Sequence, residues 1–143
     1  GACLAIETGP EPPSVIRRLI ETVGSPGLRV NYDPANLILW PPILATRAGI
    51  PYEKEKSLKE FMPVEGVKVL GPYIVHTHAK DATVNEKGQA KEVPLGEGLI
   101  DWSHYVKLLR EYGFNGYFAI ERETGKDPVG DVKKAVVFLR NLL

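Results

Sequence analysis

Four ionisable residues each stand at the end of a separate apolar run of the sequence: Glu7, Asp33, His78 and Glu121. If these runs are parallel strands, their C-terminal ends meet, and three carboxylates crowded there would repel one another unless a cation held them. Any one of the carboxylates alone is more typical of a solvated loop, but the recurrence of all four predicts a divalent metal site. Three hard carboxylates and one imidazole favour Mn²⁺, with Mg²⁺, Co²⁺ or Zn²⁺ as alternatives.

A pair of histidines lies in the β-branched stretch of residues 72–81. His76 and His78 are two residues apart, so in a strand they point to the same face, as do Asn31 and Asp33 in another run. A single histidine of this kind is more typical of a core position. Two together at the C-terminal end of a strand indicate a ligand site, because open α/β sheets and barrels bind ligands there.

Short apolar runs and helical periodicities alternate along the chain. The runs predict strands at 2–6, 28–32, within 72–81 and at 117–120. Apolar residues at helical spacing follow each run and predict helices over about 15–23, 64–70, 102–112 and 129–142. Gly24 suits the C-cap of the first helix, and Asp101 suits the N-cap of the third. This alternation predicts an α/β fold of parallel strands with right-handed crossovers.

Two long connections interrupt the alternation. Residues 38–59 contain Pro41-Pro42, a glycine and many lysines and glutamates, so we expect a long loop with a single helical turn that could act as a lid. Residues 82–97 are polar and contain glycine, and we expect a second long loop over the same strand ends.

The length, net charge and cysteine content of the chain limit the class of protein. The 143 residues suffice for one domain, and a formal net charge of zero with a pI near 7.0 argues against a nucleic-acid or membrane surface. No apolar run is long enough to span a bilayer. The single cysteine, Cys3, rules out an internal disulfide framework and fits a reducing compartment, so we expect a cytoplasmic protein.

Five blocks of the sequence, taken in order, resemble the sugar phosphate isomerase/epimerase superfamily, the xylose isomerase-like TIM barrels that also include the AP endonuclease family 2 (endonuclease IV) group. The blocks are LAIETG at 4–9, VNYDPAN at 30–36, IVHTHAKD at 74–81, LGEGLIDW at 95–102 and FAIE at 118–121. They cover nearly the whole chain. The resemblance implies parallel (β/α) units of a TIM barrel, of which residues 1–143 are only the C-terminal half, strands five to eight.

The same resemblance implies an activity. Family members of this type are divalent-metal-dependent isomerases or epimerases of sugars, sugar phosphates or inososes, and they transfer a proton through a metal-stabilised enediolate. Glu7, Asp33, His78 and Glu121 match the family's metal ligands, and Glu7 and Glu121 would also be the catalytic acid and base. The expected substrate-binding residues are His76, Asn36 and Lys80. For Lys80 a structural role fits the sequence equally well, because a lysine at the end of a strand can also form an ion pair with Asp81. The expected partner is a small sugar or polyol ketone.

Departures from the family pattern narrow the substrate. The free-ketose epimerases carry a histidine where this chain has Asn36 and an arginine where it has Val84, which argues against a free ketohexose. Endonuclease IV needs additional histidines before Gly96, and residues 82–95 contain none. Phosphodiester hydrolysis is therefore the least favoured of the activities that the resemblance implies. A non-catalytic half-barrel that serves as an assembly or binding module remains an alternative to the enzyme.

A half-barrel leaves the outer strands without neighbours, since a (β/α)₈ barrel usually takes about 250 residues. The sequence begins almost at once with a strand and without an initiator methionine, which is typical of a piece of a longer chain. We expect the barrel to be completed by such a longer chain, by a second copy in a homodimer, or by a companion chain.

Overall fold

A computed structural model describes residues 1–143, and its centre is a four-stranded parallel sheet. The strands, in their order across the sheet, are β1 (Leu4–Glu7), β2 (Leu28–Tyr32), β3 (Ile74–Ala79) and β6 (Phe118–Ile120). Between β3 and β6 along the chain, β4 (Asp81–Val84) and β5 (Ala90–Val93) form an antiparallel hairpin of their own. The parallel α/β fold expected from the alternation is confirmed.

Helices connect the parallel strands. They are α1 (Pro13–Val23), α2 (Asn36–Ala48), α3 (Lys54–Phe61), α4 (Val67–Leu70, followed by a 3-10 turn at Gly71–Tyr73), α5 (Trp102–Glu111) and α6 (Pro128–Arg140). Gly24 ends α1 in the left-handed conformation with φ 64°, as glycine readily does. The Asp101 side chain accepts a hydrogen bond from the His104 backbone N–H and caps α5. With 13 residues at most, no helix has the length and apolar character needed to cross a membrane.

The expected loop over residues 38–59 is wrong, because α2 and α3 occupy most of it. Pro41 and Pro42 lie inside α2, where each proline lacks the N–H that a helix interior uses. Leu37, Ile38, Pro41 and Pro42 are all buried, and tertiary packing of an apolar helix outweighs the local cost of proline. The one-turn length of α4 is a second difference, because the sequence predicts a longer helix after Pro63.

The expected loop over residues 82–97 is also wrong in part, because it contains the β4–β5 hairpin. The Asn85 side chain accepts hydrogen bonds from the backbone N–H groups of Lys87 and Gln89 and so closes the turn, and Gly88 has φ 75°. Asparagine and glycine are both favoured in turns, asparagine because its side chain bonds to nearby backbone groups and glycine because it readily adopts a positive φ. The polar side chains of the hairpin hide the alternation that a strand produces.

Two threonines tie the strand ends together. The Thr8 hydroxyl donates to the Asp33 carbonyl oxygen and accepts from the Asp33 N–H, both at 2.7 Å, so the ends of β1 and β2 are joined. Thr77 in β3 donates to the carbonyl oxygen of Tyr32 at 2.7 Å and its hydroxyl also contacts the Tyr105 hydroxyl of α5 at 2.6 Å. These buried bonds fix the relative positions of three adjacent strand ends.

Asp81 organises the segment that follows the hairpin. Its carboxylate is 1 % exposed and accepts hydrogen bonds from five N–H groups, namely the backbone N–H of Ala82, Gly96, Gly98 and Ile100 and the indole N–H of Trp102. A side chain at residue 98 would overlap the Asp81 carboxylate, which explains the glycine. The LGEGLIDW block is therefore a backbone cradle for this one carboxylate.

We expect Asp81→Ala to lower the free energy of unfolding by about 3 kcal/mol or more, because hydrogen bonds to a charged group contribute roughly 1.5–3 kcal/mol and five N–H donors, those of Ala82, Ile100 and Trp102 buried, would lose their acceptor. Urea denaturation followed by circular dichroism measures the change. Glu97→Ala, an exposed carboxylate in the same segment, is the matched control and should change stability little. Equal stability of Asp81→Ala and Glu97→Ala would contradict a stabilising role of the Asp81 carboxylate.

Candidate metal centre

The four strand-end residues predicted from the sequence lie together in the structure. One potential ligand atom from each of Glu7, Asp33, His78 and Glu121 lies within 4.8 Å of the other three. His78 Nδ1 is 3.1 Å from Glu7 Oε1, 3.3 Å from Glu121 Oε2 and 3.5 Å from Asp33 Oδ2. We call these four residues the candidate metal centre. It lies at the C-terminal ends of all four parallel strands.

Asp33 is fixed by the helix that follows it. Its Oδ1 accepts hydrogen bonds from the backbone N–H groups of Ala35 and Asn36 at the start of α2, at 2.9 and 3.0 Å. Its Oδ2 is buried and has no hydrogen-bond partner. The carboxylate therefore uses one oxygen to hold the chain and directs the other towards His78.

The buried atoms of the centre fit a cation. Asp33 Oδ2 and His78 Nδ1 are both buried and neither makes a hydrogen bond, although buried polar atoms are almost always paired. Both belong to residue types that bind divalent metals, and both face the two glutamates. A bound divalent cation would satisfy both atoms and offset the repulsion among the three carboxylates.

Burial and neighbouring charges shift the pKa values of these groups in different directions. The adjacent Asp33 carboxylate, together with the charges of Glu121 and Glu7, raises the pKa of His78 despite its partial burial. Burial raises the pKa of Glu7. Burial alone would also raise the pKa of Glu121, but the hydrogen bond and charge of Lys80 lower it. The two glutamates are therefore electrostatically distinct, although both end a strand.

Lys80 and Asn36, two of the three expected substrate-binding residues, contact the glutamates. Lys80 is 3 % exposed, and its ammonium donates to Glu121 Oε2 at 2.8 Å and to Glu123. The Asn36 amide donates to Glu7 Oε1 at 3.0 Å and to the Thr8 carbonyl oxygen at 3.1 Å. In this arrangement each residue orients one glutamate.

His76, the third expected substrate-binding residue, is half-buried on the same face of β3 as His78. The two imidazole rings stand edge to face with their centroids 5.8 Å apart. His76 therefore lies one layer deeper along the strand than the candidate metal centre. Its role in substrate binding stays a prediction.

The hairpin positions the segment that carries Glu121. Glu92 of β5 accepts hydrogen bonds from the Glu123 backbone N–H and from the Arg122 guanidinium, which also donates to Asp131 of α6. The sequence pattern does not predict the contacts of Glu123 and Glu92. The spacing of Glu121 and Glu123 was the available signal, since residues two apart share a face of an extended chain.

Comparisons with known proteins agree with the fold. The family model described as xylose isomerase-like TIM barrel matches residues 4–142. L-ribulose-5-phosphate 3-epimerase UlaE of Escherichia coli is 38% identical over 65 residues, which are 44% of this chain and 22% of that protein. A xylose isomerase domain protein from Planctomyces limnophilus superposes with a TM-score of 0.75 at 29% identity, covering 98% of this chain and 44% of that one.

A D-tagatose 3-epimerase-like protein also superposes, with a TM-score of 0.62 at 18% identity, over 98% of this chain and 48% of that one, and it supports the fold alone. The chain thus spans less than half the length of these solved structures, and the match to the epimerase covers about a fifth of that enzyme. Because the family model matches nearly every residue, the chain belongs to the xylose isomerase-like TIM barrel family.

Proposed function

We propose that this chain is the metal-binding half of an isomerase or epimerase that acts on a sugar, a sugar phosphate or an inosose. The observation that carries the proposal is the convergence of four strand-end side chains, two of which present a buried, unpartnered atom towards the others. The similarity to an L-ribulose-5-phosphate 3-epimerase supports a sugar phosphate as one substrate class.

Glu7, Asp33, His78 and Glu121 would hold one divalent cation, for which Mn²⁺ is our first choice because oxygen ligands outnumber the single imidazole nitrogen. A divalent cation bound there would polarise a substrate carbonyl and stabilise the negative charge that develops on its oxygen. Asp33 is suited to a purely binding role, because its Oδ1 is engaged by α2 and only Oδ2 is free.

Glu7 and Glu121 are the proposed proton carriers. One removes a proton from the carbon beside the carbonyl, and the other returns a proton to the opposite face in an epimerisation. Asn36 orients Glu7 and Lys80 orients Glu121, so each carboxylate is held by its own polar side chain. The ammonium of Lys80 favours the ionised form of Glu121, whereas burial favours the protonated form of Glu7.

Complete barrel geometry requires further strands. The outer strands β1 and β6 each have an open edge, and Leu4 on β1 is 69% exposed. Next to β1, Val15, Leu19 and Val23 of α1 form an exposed apolar stripe at four-residue spacing. We propose that additional βα units cover these surfaces, supplied by a longer chain, a second copy or a companion chain.

Mn²⁺ should raise the melting temperature of the chain. At a concentration about 100 times Kd the added stability is about 2.7 kcal/mol, which corresponds to roughly 5–15 °C for a chain of this size. Asp33→Asn should lose most of this shift, while Glu11→Gln, an exposed carboxylate outside the centre, should keep it. Scanning fluorimetry measures the melting temperatures of the unaltered chain and of both variants. A Mn²⁺-induced shift in Asp33→Asn equal to that of the unaltered chain would count against the metal centre.

Proton transfer predicts exchange of substrate hydrogen with solvent. In D₂O with Mn²⁺, we expect deuterium to enter the carbon beside the carbonyl of at least one member of a panel of ketoses, ketose phosphates and inososes. Glu121→Gln should slow this exchange by roughly 10²-fold or more, and exposed Glu97→Gln should not. Mass spectrometry follows the label. Mn²⁺ binding without exchange of any substrate would favour the non-catalytic assembly module.

The open strand edges and the exposed apolar stripe of α1 also predict that copies of the chain associate. Analytical ultracentrifugation of the purified 143-residue chain should show a dimer or larger species at micromolar concentration, since burial of the exposed stripe and the strand edges is favourable. A stable monomer near the chain mass of 15.8 kDa would contradict the need for covering units.

A further inference from the structure

The two ring nitrogens of His78 face different neighbours. Nδ1 points to the carboxylates of the candidate metal centre. Nε2 lies 3.1 Å from the amide of Asn31 in β2, which is its hydrogen-bonding neighbour. Asn31 is not one of the four proposed ligands, and it reaches His78 from the adjacent strand of the sheet.

The position of the imidazole hydrogen determines which end of the Asn31 amide can form a hydrogen bond with His78. A neutral imidazole carries one N–H, so a His78 that presents the Nδ1 lone pair to a cation must carry its hydrogen on Nε2. That Nε2–H needs an acceptor. The Asn31 amide oxygen can accept it, whereas the Asn31 NH₂ group cannot.

A half-turn of the Asn31 amide brings the acceptor to His78. In the structure Nδ2 is the atom near His78 Nε2, while Oδ1 is buried and has no hydrogen-bond partner. The two ends of an amide have nearly the same shape, so their exchange changes the packing very little. With Oδ1 turned to Nε2–H, the buried oxygen gains a partner and Nδ1 is free for a cation.

We propose that Asn31 is a positioning residue that selects the His78 tautomer with a free Nδ1 and fixes the plane of the ring towards the candidate metal centre. This role rests on the proposed function, because it has meaning only if His78 binds a cation. Carboxylates or carbonyl oxygens commonly accept the second N–H of a metal-binding histidine. Here an uncharged amide performs that role beside three carboxylates and adds no further negative charge.

The fold explains how Asn31 reaches this position. Asn31 and Asp33 share the inward face of the β2 end, so Asn31 lies one layer below the centre. The pairing of β2 with β3 shifts register between Val30 and Asn31, which places Asn31 opposite His76. His78 follows two residues later on the same face of β3, within reach of the amide.

Zn²⁺ titration of chain labelled with ¹⁵N-histidine tests the role of Asn31 without any activity assay. In the unaltered chain, Zn²⁺ should give His78 a metal-bound Nδ1 signal and a protonated Nε2 signal in long-range ¹H–¹⁵N spectra. Asn31→Leu should weaken Zn²⁺ binding by about 10- to 100-fold and remove the protected Nε2–H. Asn31→Asp, which keeps an acceptor at this position, should retain that tautomer.

Two further variants keep the test decisive. Asn31→Ala replaces Asn31→Leu if the latter does not fold, and exposed Asn115→Ala is the matched control that should behave like the unaltered chain. Unchanged Zn²⁺ affinity and an unchanged Nε2–H signal in both Asn31→Leu and Asn31→Ala would overturn the role of Asn31 while leaving the metal centre intact. An unaltered chain that binds no Zn²⁺ would overturn the proposed centre and the role of Asn31 with it.

Discussion

Repulsion among three carboxylates at one end of a parallel sheet is the constraint on which the rest of the structure depends. Glu7, Asp33 and Glu121 come from three different strands, and the parallel pairing of the sheet brings them within a few ångströms of one another. Such a cluster is stable only when positive charge or donor groups surround it. His78 stands among the three carboxylates, and Lys80 is buried beside two of them. A divalent cation would complete this charge balance.

The residues around the cluster divide into two kinds of support. Backbone groups at the start of α2 and the threonine links between strand ends hold the cluster in place through the fold itself. Side chains refine its orientation, with Asn36 on one glutamate, Lys80 on the other and Asn31 on the imidazole. Burial raises the pKa of Glu7, whereas the hydrogen bond and charge of Lys80 lower the pKa of Glu121, so two otherwise similar carboxylates differ in proton affinity.

The sequence predicts the strand ends and the membership of the cluster because both depend on local patterns. A short apolar run defines each strand, Gly9-Pro10 and Pro34 stop the first two runs, and an ionisable residue lies at or next to the C-terminal end of every strand of the parallel sheet. It does not predict α2, because Pro41-Pro42 is a local helix-breaking signal that buried packing overrides. The β4–β5 hairpin is missed because its polar side chains obscure the alternation. The contacts of Asn36 and Lys80 depend on distances between separate elements, which no spacing along the chain encodes.

Anomalous X-ray scattering from crystals grown with Mn²⁺ tests the central claim most directly, because it locates the ion independently of any catalytic assay. We expect one anomalous peak among Glu7, Asp33, His78 and Glu121, with Asp33 Oδ2 and His78 Nδ1 both bonded to the ion. A fully occupied Mn²⁺ peak elsewhere on the chain, with none among these four side chains, would contradict the account.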